Sequence, residues 1–125
     1  LQDGTLLVLN RPIWSPFMWE SRSFDGGRSW TPATRGAFAL YATRHAMVTT
    51  TSGAVLIGGR FSGLAVQLSQ DDGYNWQCYQ IDTAAWANGA MMEVEPDGVL
   101  FTYGGRAEFR SQLLRVTPAG LEPVR

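Results

Sequence analysis

The chain has 125 residues, enough for one domain with a real core, and its ten basic residues against eleven acidic ones leave a net charge of -1. No basic surplus favours nucleic acid or an anionic membrane surface, so neither is an expected partner. The single Cys78 excludes an internal disulfide and a thiolate metal cage, no nucleotide loop or zinc spacing occurs, and neither metal nor cofactor is expected.

All ten basic residues are arginine, whose planar fork grips carboxylates in pairs. No apolar run reaches the roughly 20 residues that a membrane-spanning helix needs. The opening Leu1-Gln2-Asp3-Gly4 has neither an initiating Met nor the pattern of a signal peptide, which leads us to expect a start inside a larger gene product or after a processed segment.

Taken in order, the chain opens on a turn, Asp3-Gly4, followed by the apolar run Thr5-Leu6-Leu7-Val8. The same turn and run recur as Ser52-Gly53-Ala54-Val55-Leu56-Ile57 and as Asp97-Gly98-Val99-Leu100-Phe101-Thr102. Next comes Ser23-Phe24-Asp25-Gly26-Gly27-Arg28-Ser29-Trp30, which returns as Ser69-Gln70-Asp71-Asp72-Gly73-Tyr74-Asn75-Trp76 at an offset of 46 positions (69 minus 23). A third marker, Ile57-Gly58-Gly59-Arg60, returns as Tyr103-Gly104-Gly105-Arg106 at the same offset (103 minus 57), with Asn10-Arg11 as a looser first copy. Three markers in one order define a repeated unit.

The segments between markers are short and rich in Val, Leu, Phe, Tyr, Trp and Thr, and Gly, Asp, Asn and Pro bound them, which is strand chemistry. The middle unit predicts strands over 46–51, 54–60, 64–70 and 75–81, with turns at 52–53, 61–63 and 71–73. The last unit predicts strands near 90–95, 98–104, 111–117 and 120–124, and the first unit lacks its opening strand. Trp14 and Trp19 flank the bend Ile13-Trp14-Ser15-Pro16-Phe17 and are expected to pack under it. The predicted fold is all-β: three four-stranded antiparallel blades of a β-propeller that is six-bladed when complete, covering about 1–40, 44–83 and 88–125. A three-blade wedge would expose an apolar flank on each side, so the rest of a longer chain or a second copy is expected to cover both.

The box Ser-x-Asp-x-Gly-x-x-Trp has a structural explanation. Its Ser and Asp oxygens can accept hydrogen bonds from turn amides, Gly tolerates positive φ, and the indole can pack between neighbouring sheets. Ser23, Asp25, Gly27 and Trp30, and Ser69, Asp71, Gly73 and Trp76, are therefore read as structural, and the spacing fits no calcium loop.

Both boxes resemble the Asp-boxes, or BNR repeats, of the sialidase and neuraminidase superfamily, and Val116-Thr117-Pro118-Ala119-Gly120 is similar to a decayed third copy. The tail 115–124 also looks like the closing segment of bacterial sialidase-like proteins, so the chain is similar to the C-terminal half of one. The resemblance implies part of a glycoside hydrolase propeller that recognises an anionic sugar, such as a sialylated glycan, in a secreted or cell-surface setting. The alternative is a non-catalytic carbohydrate-binding or scaffold propeller assembled from partial propellers.

Box turns on one face would leave the opposite face for ligand. Arg11, Arg60 and Arg106 occupy equivalent places there, and the resemblance implies arginines that hold a sugar carboxylate. The bland reading of these arginines is solvation or pairing with acids at the rim. Sialidases use a Tyr nucleophile with a Glu and an Asp, which implies Tyr103, Glu108 and Asp82 as the catalytic candidates, with Tyr41 as another nearby phenol. Trp86 could stack on a sugar ring or cover the core. His45, beside Arg44, could contact substrate or only bond a strand end.

Overall fold

The structure, a computed structural model, describes residues 1–40, 45–84, 89–105 and 107–124. These residues form eleven strands and no helix: β1 (Leu6–Asn10), β2 (Phe17–Ser23), β3 (Thr34–Ala39), β4 (Ala46–Thr49), β5 (Val55–Arg60), β6 (Leu64–Ser69), β7 (Gln77–Asp82), β8 (Ala90–Glu95), β9 (Gly98–Gly104), β10 (Phe109–Thr117) and β11 (Gly120–Pro123). They pair into three open antiparallel sheets, β1-β2-β3, β4-β5-β6-β7 and β8-β9-β10-β11. The first sheet has three strands, in keeping with the missing opening strand.

All strand ends of the second and third units fall within two residues of the sequence reading, and the two strand starts that shift by two residues have local causes. β7 starts at Gln77 rather than 75 because Asn75 and Trp76 remain tied to the preceding turn, through Asn75 N to Asp71 Oδ1 (2.8 Å) and Trp76 Nε1 to the Gly73 carbonyl (2.9 Å). β10 begins at Phe109 rather than 111 because the ladder with β9 continues through Phe109–Gly104 and Arg110–Tyr103. β7 also runs one residue past the expected end, to Asp82, which pairs with Leu64.

The central strands of the middle sheet, β5 and β6, are buried on both faces, and alternation along them assigns their side chains to two clusters. Leu56, Leu64, Val66 and Leu68 meet Val99, Phe101, Tyr103 and Leu114 of the third sheet. Ile57, pointing the other way from β5, joins Leu9, Met18, Phe38 and Leu40 of the first sheet and its neighbour. Such near-continuous burial explains why β5 and β6 read as apolar runs rather than alternating strands. Gly58 marks one close approach: a Cβ there would lie 2.5 Å from Met91 Cε and 2.7 Å from Phe101 Cζ.

Between the second and third sheets the backbones meet most extensively at their first strands, β4 and β8. Their last strands diverge enough to leave a cleft of about 120 Å³ bounded by Tyr79, Ile81, Gln112, Leu114, Leu121 and Pro123. The two sheets therefore form a wedge that opens from β4 and β8 towards β7 and β11.

The outward faces of the first and third sheets carry exposed apolar side chains: Leu6 on one, and Met92, Val94 and Phe109 on the other. Trp76 fulfils the predicted wedging, with its ring centroid 4.7 Å from that of Phe38 on the first sheet. Trp30 does not, and this corrects the expectation for the first box: its residue is 43% exposed, because no described sheet covers the side on which it lies. Trp14 is likewise corrected; rather than packing under its bend, it stands 73% exposed, edge-on to Trp19 at 5.1 Å.

Candidate functional site

The box turns assemble as their residues dictate. Ser23 Oγ donates to Asp25 Oδ1 (2.9 Å) and accepts from Gly27 N (2.8 Å), while Arg28 N (3.0 Å) and Ser29 N (2.9 Å) donate to Asp25 Oδ1. Ser69, Asp71 and Gly73 repeat the arrangement, with Ser69 Oγ to Asp71 Oδ1 at 2.8 Å and Gly73 N to Ser69 Oγ at 2.9 Å. Gly27 and Gly73 have φ of 89° and 80°, which side chains rarely adopt. The Ser29 hydroxyl and amide, followed by Ser23, hold the Asp25 carboxyl down to about 2. Burial raises Asp71, but bonds from Asn75 and Ser69 outweigh it and the net shift is downward. The turns account for both carboxylates.

Antiparallel pairing puts the ends of β1, β5, β7 and β9 at the opposite end of the sheets, together with the starts of β4 and β10. Arg11, His45, Arg60, Asp82, Tyr103 and Glu108 all lie there. Trp86, Arg106, Tyr41 and Arg44 fall outside the described residues.

Three of these candidates meet in one cluster, organised by a residue that the sequence reading did not single out. Arg110 is paired across the ladder with Tyr103, so both side chains leave the third sheet on the face turned to the second. Its Nη1 donates to Asp82 Oδ2 at 2.6 Å and its Nε to Glu108 Oε1 at 2.7 Å, and Nη2 also bonds Glu108. Glu108 and Asp82 raise the guanidinium above its ordinary range, keeping it charged. The Arg110–Asp82 pair joins two sheets, with Asp82 14% exposed at its side chain, whereas Glu108 is 59% exposed and its pairing counts for less.

Tyr103 is buried at the base of this cluster and lies within hydrogen-bonding reach of Asp82. Burial first, and then the Asp82 carboxylate, push its phenol above the usual range. Ionisation would place a second negative charge beside the first in a dry setting, so the hydroxyl stays protonated near neutrality and acts as a donor. A nucleophilic role would require a proton acceptor, and Asp82, whose charge is shared with Arg110 through Oδ2, is a weak base for it. Arg110 was hidden in the sequence because the strand was expected to begin at 111, which left Arg110 in the preceding loop. The spacing Glu108-x-Arg110 was the available signal, since residues two apart share a strand face.

A second grouping lies in the first sheet and the link that follows it. His45 is half-buried, and burial first, then the Arg11 charge, depress its protonation, so it is neutral near pH 7. Arg60 closes β5, half-buried, between the two groupings in chain order. No cluster of His, Cys, Asp and Glu fit to hold a metal occurs among the described residues.

No family model matches the chain, and no curated protein matches it. The family resemblance rests on the two boxes and their spacing.

Proposed function

We propose that this chain is part of a sialidase-like β-propeller that recognises an anionic sugar on the end of its sheets opposite the box turns. The observation that carries the reading is the gathering of Arg11, His45, Arg60, Asp82, Tyr103, Glu108 and Arg110 at that end, while both Asp-box carboxylates are consumed by turns at the other. The wedge between the second and third sheets, narrowest at their first strands, supports counting each sheet as a blade. Arg60, and Arg106 at the same register in the sequence, hold the sugar carboxylate by paired charge-assisted bonds. Tyr103 serves as a hydrogen-bond donor and the Asp82–Arg110 pair fixes the geometry around it.

Binding of a sialylated trisaccharide and turnover of a fluorogenic sialoside, measured on wild type and Arg60→Ala, test this reading. We expect saturable binding weakened at least about tenfold in the variant, the loss of roughly 1.4 kcal/mol that one such contact supplies. Undiminished binding by Arg60→Ala would remove it. If turnover occurs, Tyr103→Phe separates the roles: abolished turnover makes Tyr103 the nucleophile, and retained turnover leaves it a donor.

A second reading, a scaffold in which two copies close a ring of six sheets, is favoured by the exposed apolar flanks carrying Leu6 and Trp30 on one side and Met92 and Phe109 on the other. It requires a dimer in light scattering. A stable particle of the 13.8 kDa chain mass rules it out.

A further inference from the structure

The connection between β1 and β2 builds a cleft that takes in Arg11 but neither Arg60 nor the Arg110 cluster. Arg11, Ile13, Trp14, Ser15, Pro16 and Leu40 line about 300 Å³, at the lower end of small-ligand sites. The bend that forms it is held by bonds: Phe17 N donates to Ser15 Oγ (3.1 Å), and Leu40 N donates to the Pro16 carbonyl (3.1 Å). Its wall keeps large apolar surface in water, with Trp14 73% and Ile13 97% exposed, and the edge-on contact with Trp19 orients the Trp14 ring. Beside it, two buried polar atoms, Trp19 Nε1 and His45 Nδ1, have no hydrogen-bond partner among the described residues. Such atoms cost about 1–3 kcal/mol each unless a water or ligand meets them.

We infer that this cleft binds a carboxylate carried on a ring, with the ring laid against Trp14 and Ile13 and the carboxylate on the Arg11 guanidinium. An indole face offers a ring both dispersion and a flat platform, and a guanidinium beside it selects for one negative charge. A neutral imidazole next to Arg11 adds no competing negative charge, unlike the two carboxylates that occupy Arg110. The inference rests on reading this end of the sheets as the ligand face, and it adds a second binding point on the first sheet.

Isothermal titration and tryptophan fluorescence with D-glucuronate and with benzoate, beside D-glucose and benzyl alcohol, test it. We expect at least one carboxylate to bind saturably, its neutral counterpart to bind at least about tenfold more weakly, and both Arg11→Ala and Trp14→Ala to lose binding by a similar factor. Binding of glucuronate alone identifies a sugar acid, and binding of benzoate alone identifies an aromatic acid. Trp14 is too exposed for its removal to threaten folding, so that variant reports on the cleft even if Arg11→Ala is unstable. Equal binding of neutral and charged rings, or no binding of either acid, overturns the inference, as does full binding by the Trp14→Ala variant. Loss of sialoside binding in Arg60→Ala together with undiminished glucuronate and benzoate binding in Trp14→Ala would sink the cleft and leave the function reading standing.

Discussion

The two box turns share their chemistry and differ in what their indoles touch. Residues 23–29 and 69–75 make the same Ser–Asp–amide bonds to within a few tenths of an ångström. Trp76 packs on Phe38 of the preceding sheet, while Trp30 stands 43% exposed. The turn is thus a local unit that closes on its own hydrogen bonds. Its tryptophan contributes only when a second sheet lies against it, because area is removed from water by a neighbour and not by the turn.

The largest test of that contrast is truncation of each indole. Trp76→Ala should destabilise the chain by about 2–4 kcal/mol, since a partly buried aromatic and its ring contact are lost, while Trp30→Ala should cost under about 1 kcal/mol. Urea unfolding midpoints of the two variants decide it, and equal losses would mean that the Trp30 side is covered in solution. A smaller effect comes from the other junction. Gly58→Ala forces a methyl against Met91 and Phe101 and should cost about 1–3 kcal/mol, with a repacked Met91 at the low end. Gly26→Ala meets no neighbouring atom within 4 Å and is strained only by its φ of 72°, so it should leave the junction between sheets unaffected.

The smallest effect is electrostatic. Asp25 has its folded pKa depressed to about 2 from 3.8, so its bonds add stability above the ordinary value and lose it as pH falls through the folded one. Asp71 shifts in the same direction. Melting temperature should therefore drop between about pH 4 and pH 2, and Asp25→Asn should flatten part of that drop. An unchanged acid slope in the variant would show that the turn does not hold its carboxylate in the ionised form.

Much of the architecture was legible because its signals are local. Strand and turn positions followed from short apolar runs punctuated by Gly and Asp, and the repeat supplied three readings of one pattern. The candidate site was legible only in outline. Asp82, Tyr103 and Glu108 were singled out by the family resemblance on one expected face, but the residue that joins them was not, because whether Arg110 faces a neighbouring sheet depends on register across β9 and β10. Trp14 and Trp30 failed for the same reason: large apolar residues signal burial in general and name no partner.

The order of residues alone determined eleven short strands, the two self-sufficient turns and the end of each sheet on which the arginines fall, since these follow from backbone preferences and bonds spanning a few positions. Only the packed sheets decided that β5 and β6 are covered on both faces, that Arg110 draws Asp82 across a junction, and that one indole is wedged while its twin is bare. Each of those depends on surfaces brought together from distant parts of the chain, and burial is a property of the pair.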